Sequence, residues 1–145
     1  LAQAASLGAH ETFDARGDGR AIKKAIGAIQ RSTGVAGGLR VLECSGSTAG
    51  QELAYSLLGP AGVLLVVGFT SGKVTIRLSR LMALDARALG NWGCLPELYP
   101  PLLQLVLDGS IQVTPLVKRF GLDDVQAVLE AVKAHEIRER PVLVP

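Results

Sequence analysis

The sequence predicts an α/β fold, a partial doubly wound parallel sheet followed by a further segment. Three observations carry this. Apolar runs end on Gly, Ser, Asn or Cys at RVLECSG (40–46), GVLLVVGFTSG (62–72) and ARALGNWGC (86–94), with RPVLVP (140–145) as a fourth short run. Helical patterns alternate with these runs at the spacing of βαβ units, which cross over with right-handed connections. The run at 62–68 is apolar without alternation, as a central parallel strand covered on both faces should be.

The elements follow in order. LAQAASLGA reads as the last turns of a helix closed by Gly8, an unusual start that suggests a fragment of a longer protein. ETFDA at 11–15 is a strand candidate and ARGDG at 15–19 a polar turn. RAIKKAIGAIQRST places Ile22, Ile26 and Ile29 on one helical face, with Lys23, Lys24, Gln30 and Arg31 outside and Gly34 as the stop. VAGG at 35–38 is a loop, and LRVLEC is a strand. Ser47 and Thr48 supply a helix cap, and Leu53, Leu57 and Leu58 form the inner face of the helix that follows. Gly59 and Pro60 end it.

After the central strand, KVTIRLS alternates Val74, Ile76 and Leu78 with Thr75, Arg77 and Ser79, the period of a strand with one wet face. SRLMALD is a short helix and ARALGNWGC a strand. A helix over 96–108 turns Leu102, Leu103, Val106 and Leu107 inward, with Pro100 and Pro101 in its first turn and Gly109 after it. IQVTPLVKRF reads as an edge strand with Pro115 at its margin. LDDVQAVLEAVKAH is an amphipathic helix with Asp123 and Asp124 in its first turn and Lys133 and His135 near its end, the arrangement a helix dipole favours. VLV at the tail is a last strand.

Bulk properties exclude several classes. The 145 residues are 48% hydrophobic and 19% charged, with net charge +2 and no Lys/Arg block of the kind that marks a nucleic-acid or membrane surface. The longest apolar run, 63–67, is far too short to span a bilayer, and no charged leader opens the chain. Two Cys fifty residues apart make no metal or redox spacing and are consistent with a reducing cytoplasm.

Few side chains suggest chemistry alone. His10 and His135 lack the neighbours that a zinc site or a catalytic base needs, so no metal site and no catalytic residue is assigned. Cys44 and Cys94 read first as small buried hydrophobes. Cys44 also precedes a helix start, which leaves open a nucleophilic thiolate. Gly46, Gly68 and Gly90 fit turn chemistry, or backbone against which a flat ligand lies. Lys73, Arg77, Arg80 and Arg87 read as a solvated basic face, with contact to a phosphate-bearing substrate as the alternative. There is no G-x-G-x-x-G turn and no P-loop.

Taken in order, ECSG, VVGF, ALGNWGC and R-P-V-L-V-P resemble the medium-chain, zinc-type alcohol dehydrogenases over essentially the whole chain. The resemblance implies that residues 1–92 complete an NAD-binding Rossmann domain and that 93–145 return to the catalytic domain. It implies a cofactor site: Cys44, Ser45 and Gly46 border the NAD, Val67, Gly68 and Phe69 lie along its nicotinamide ribose and ring, Asn91 and Trp92 offer backbone groups to the carboxamide, and Arg140 faces the pyrophosphate. Zinc is expected only in an upstream part of such an enzyme. The phrases ECSGSTAGQ, VVGFT and ARALGNWGCLPELYP further imply an alicyclic hydroxyacyl-CoA substrate, as in benzoyl-CoA degradation. A homo-oligomer is expected through the strand at 90–94. On this reading the chain is a fragment, inactive alone and a weak binder of NAD. The alternatives are a non-enzymatic remnant that self-associates through an exposed sheet edge, and an acyl-CoA-binding or thiol module using Lys73, Arg77 and Cys44.

Overall fold

The computed structural model describes residues 1–34 and 38–145. The loop expected at 35–38 lies outside the described residues apart from Gly38. The chain divides into two units, Leu1–Gly93 and Cys94–Pro145.

In the first unit, helix α1 (Ala2–Ser6) is short and is followed by Gly8 at φ +100°. The strand expected at 11–15 does not form. Asp14 accepts from the Arg16 amide at 3.0 Å and from its guanidinium at 3.0 and 2.8 Å, a local turn that competes with any ladder. Helix α2 (Gly19–Ser32) starts where Asp18 accepts from the Arg20 amide at 2.8 Å. Its Ile22 is buried and Ile26 and Ile29 are half-buried, as the spacing predicts.

The centre of the unit is β1 (Arg40–Glu43), α3 (Thr48–Leu57), β2 (Val63–Val66), α4 (Ser79–Leu84) and β3 (Arg87–Gly90). The strands are parallel in the order β1-β2-β3, with Leu42, Leu65 and Leu89 in register. Helix α3 is capped by Ser47, whose hydroxyl accepts from the Gly50 amide at 3.0 Å. Its buried face differs from the expected one. Ala54, Tyr55 and Leu58 pack with Leu64, flanked by Val41, Val66, Leu81, Leu84 and Ala86, while Leu53 and Leu57 are only half-buried. The helix can turn Tyr55 inward because its hydroxyl donates to the Arg77 carbonyl at 2.6 Å, which leaves no phenolic group unpaired.

Two further expectations are corrected. Among the described residues the far face of the central strand β2 is only partly covered, with Leu65 half-buried. Val41, Leu64 and Val66 point to the α3 core, but on the opposite face Leu42 is 63% and Leu89 49% exposed. KVTIRLS does not form a strand. Its backbone is held by side chains of α3 instead: Thr75 donates to the Glu52 carboxylate at 2.8 Å and Arg77 accepts from Tyr55.

In the second unit, a 3-10 turn (Pro96–Leu98) leads into α5 (Tyr99–Leu107), with Pro100 in its first turn. Leu102, Leu103 and Leu107 are exposed and Val106 half-buried, contrary to the expected inward face. A unit of this size has little interior to offer such a helix. Pro115 sits in a 3-10 turn (Thr114–Leu116), so the strand β4 (Val117–Gly121) begins only after it. β4 pairs in parallel with β5 (Arg140–Val144), joined through α6 (Val125–Lys133), whose Val128 is buried. Asp123 and Asp124 lie in a separate short turn just before α6, and His135 follows it at φ +59°. No described helix is long and apolar enough to cross a membrane.

Candidate functional site

The site is built where β1, β2 and β3 end. The Glu43 carbonyl accepts from both the Val67 and the Gly68 amides, each at 2.9 Å, and this double acceptance stops the β1–β2 ladder. The chain after β1 then turns at Gly46, φ +63°, a conformation that L side chains rarely adopt. The turn presses on the chain after β2. A Cβ at Gly46 would stand 2.7 Å from the Phe69 carbonyl oxygen, and one at Gly68 would strike the Gly46 amide and stand 2.8 Å from Glu43 Oε2. Gln51 of α3 donates to the Gly68 carbonyl at 3.1 Å. Beyond β3, the Asn91 amide donates to the Val66 carbonyl at 3.0 Å, and the Asn91 side chain donates to the Gly93 carbonyl at 3.2 Å.

Between the ends of β2 and β3 lies a cleft of about 320 Å³, lined by Val66, Val67, Gly68, Phe69, Gly90, Asn91 and Trp92. This is the place where open parallel sheets receive ligands. Phe69 and Trp92 are 76% and 91% exposed, so two aromatic rings stand at its rim without burial. The floor is backbone and aliphatic side chain, suited to a flat, weakly polar ring rather than to a highly charged group.

Six of the residues singled out in the sequence therefore share one cleft: Val67, Gly68, Phe69, Gly90, Asn91 and Trp92. Cys44, Ser45 and Gly46 do not line it. They form the adjoining turn, with Gly46 against the Phe69 backbone. Cys44 and Cys94 are both exposed, which corrects the reading of each as a buried hydrophobe. Arg140 opens β5 in the second unit and is exposed. His10 and His135 are exposed. Among the described residues no group of three or more His, Cys, Asp or Glu is placed to hold a metal.

The basic stretch is partly structural. Arg80 donates to the Leu58 carbonyl at 2.7 Å and to that of Ser56 at 3.3 Å, so it closes the end of α3. Burial, and then the Arg80 charge, hold the Lys23 ammonium below its ordinary range. Lys73, Arg77 and Arg87 are exposed.

The residue that sequence reading missed is Glu43. It is 3% exposed, the one buried charged side chain among the described residues. Its Oε1 accepts from the Ser45 amide at 2.7 Å and from the Ser45 hydroxyl at 2.5 Å. The available signal was an acidic residue following Val41 and Leu42 at the end of a strand, directly before Cys-Ser-Gly.

The sequence model of the zinc-binding dehydrogenases matches residues 1–108. Among solved structures, the alcohol dehydrogenase of the hyperthermophilic archaeon Aeropyrum pernix is similar at 28% identity and TM-score 0.81, over 100% of this chain and 40% of that one. An alcohol dehydrogenase zinc-binding domain protein from Burkholderia ambifaria is similar at 26% identity and TM-score 0.77, over 100% of this chain and 39% of that one. The benzyl alcohol dehydrogenase of Acinetobacter calcoaceticus shares the fold at 22% identity and TM-score 0.77, over 99% and 39%. The chain thus spans about 40% of the length of the solved proteins it matches. No curated protein matches it significantly.

Proposed function

The chain belongs to the zinc-binding dehydrogenase family, and on that premise we propose that it forms part of the coenzyme-binding wall of an NAD-dependent alcohol dehydrogenase. The reaction proposed is oxidation of a secondary alcohol to a ketone, with hydride transfer to nicotinamide. Residues 1–92 would complete the Rossmann coenzyme domain and 93–145 would return to the catalytic domain. The cleft between the ends of β2 and β3 carries this reading.

The residues present fit the nicotinamide end of NAD. Gly68 has no side chain to hold a ring away from the backbone, and Gly46 lets the neighbouring turn approach without filling the space. Val67 and Phe69 give the ring apolar edges, and backbone groups of Asn91 and Trp92 receive the carboxamide. Nicotinamide, when bound, supplies the hydride acceptor, and the protein's part is to orient it and exclude water. Cys44 and Ser45 border the coenzyme from the adjoining turn. Arg140 keeps its role toward a coenzyme phosphate on the family pattern alone.

Among the described residues no cluster of His, Cys, Asp or Glu would hold the zinc of such an enzyme. The substrate we favour is an alicyclic hydroxyacyl-CoA, 6-hydroxycyclohex-1-ene-1-carbonyl-CoA of benzoyl-CoA degradation, on the phrases ECSGSTAGQ, VVGFT and ARALGNWGCLPELYP. The proposed setting is cytoplasmic, and the proposed assembly is a homo-oligomer formed through residues 90–94, although the strand expected there ends at Gly90, the last residue of β3. The self-associating, non-enzymatic remnant is not favoured, because the family match covers residues 1–108.

The 145 residues contain no G-x-G-x-x-G turn, the element that holds the coenzyme pyrophosphate in a Rossmann domain. The chain alone is therefore expected to hold NADH only in the millimolar range and to show no turnover. In a titration followed by NMR, NADH should shift the amides of Val67, Gly68 and Asn91, with saturation transfer to the nicotinamide protons. Shifts confined to another surface, or none, would overturn the coenzyme reading.

A further inference from the structure

We propose that Glu43 is a positioning residue for the cleft: its buried carboxylate ties the turn after β1 to the end of β2, and so sets the backbone of Gly68 and Phe69. This rests on the coenzyme reading only for its consequence in binding.

Three observations converge on it. First, Glu43 is joined to the end of β2 by its own backbone, since its carbonyl takes both the Val67 and Gly68 amides. Second, its side chain folds back into the adjoining turn. Oε1 accepts from the amide and hydroxyl of Ser45, that hydroxyl lies 3.0 Å from the Ser47 hydroxyl, and Ser47 caps α3 through the Gly50 amide. One carboxylate oxygen thus anchors a chain of bonds that runs from the strand end to the helix start. Third, Oε2 is buried and, among the described residues, has no hydrogen-bond partner. It lies under Gly68, 2.8 Å from where a Cβ would stand.

A buried polar oxygen without a partner is costly, and a purely structural position would be served as well by an apolar side chain. Its presence is accounted for by the carboxylate's service to the geometry of the site. The turn must lie close enough to Gly68 that no Cβ fits, yet must not collapse into the cleft. Glu43 Oε1, accepting from both the amide and the hydroxyl of Ser45, fixes that distance. Oε2 occupies the space beneath Gly68 and prevents the glycine from sinking away from the ligand side.

The test is amide hydrogen exchange of the full chain, unliganded and with NADH, in wild type, Glu43→Ala, Glu43→Gln and Ser45→Ala. The amides of Leu64 and Leu65 report global opening, and those of Val67 and Gly68 report the site. In Glu43→Ala, exchange at Val67 and Gly68 should rise at least tenfold more than at Leu64 and Leu65, and NADH should bind about tenfold more weakly. Glu43→Gln keeps the shape and one acceptor oxygen, and should restore both towards wild type. Should Glu43→Ala fail to fold, Ser45→Ala removes the hydroxyl end of the link and should give the same local rise at smaller amplitude. A uniform rise at all four amides, or Glu43→Gln behaving as Glu43→Ala, would overturn the proposal. If wild type shows no NADH binding, the coenzyme reading fails, and the exchange pattern still decides the role of Glu43.

Discussion

Gly68→Ala is expected to lower the melting temperature of the chain by roughly 10 °C, from a loss of about 3 kcal/mol of stability, and to abolish NADH-dependent shifts at the cleft. The added methyl would strike the Gly46 amide and stand 2.8 Å from Glu43 Oε2. Both obstacles are held: Gly46 is backbone against the Phe69 carbonyl, and the Glu43 side chain is tied to Ser45. The strand end must therefore move, and with it the floor of the cleft. Gly90→Ala is the control. Gly90 lines the same cleft, but a Cβ there meets nothing within 4 Å, so stability should change by less than about 1 kcal/mol. Equal melting temperatures for the two variants would contradict the close approach of the β1 and β2 turns.

Leu58→Ala should cost about 3 kcal/mol, the ordinary range for emptying a fully buried leucine site. Leu58 is 0% exposed and joins Ala54, Tyr55 and Leu64 in the core between α3 and the sheet. Its Cδ2 would touch a Cβ at Gly62 at 3.1 Å, so the loop before β2 is packed against it as well. Collapse into the void is restrained because Arg80 and Tyr55 pin the backbone on either side through the Leu58 and Arg77 carbonyls. Urea unfolding should show a lower midpoint at unchanged slope. Leu42→Ala, on the open face of the sheet, should cost only about 0.5 kcal/mol. A loss at Leu42 as large as at Leu58 would mean that the open face is covered in solution.

These two positions show what the sequence makes legible. β1, β2 and β3 were readable because each is a short run closed by a residue that stops a strand, α2 because Ile22, Ile26 and Ile29 recur on one helical face, and α3 because Ser47 caps it. The cleft was readable in part: strand endings in succession put their carboxyl ends on one edge of a parallel sheet, but only those of β2 and β3 line it, and that of β1 forms the adjoining turn. Other features depend on partners that spacing does not show. The alternation of KVTIRLS is that of a strand, but Glu52 and Tyr55 claim its backbone first. The inner face of α3 is turned because a tyrosine can be buried once its hydroxyl finds a carbonyl. α5 has an apolar stripe, but its unit leaves that stripe exposed. Glu43 went unread because a carboxylate beside a turn looks like a solvated one until its burial is known.

The parallel pairing has a consequence for how the chain acquires its structure. The ladders link residues 23 apart from Arg40 to Val63, 24 apart from Val63 to Arg87 and 23 apart from Val117 to Arg140. None can start from a tight hairpin, and the entropy lost in closing each loop is nearly the same. Timing is therefore decided by what each closure removes from water. Joining β1 to β2 traps Ala54, Tyr55, Leu58 and Leu64 at once, whereas joining β4 to β5 buries Val128. In pulse-labelled refolding, amides of β2 should gain protection before those of β5, with α3 acting as the nucleus around which the first unit condenses. Simultaneous protection of β2 and β5 would show that the two units do not fold independently.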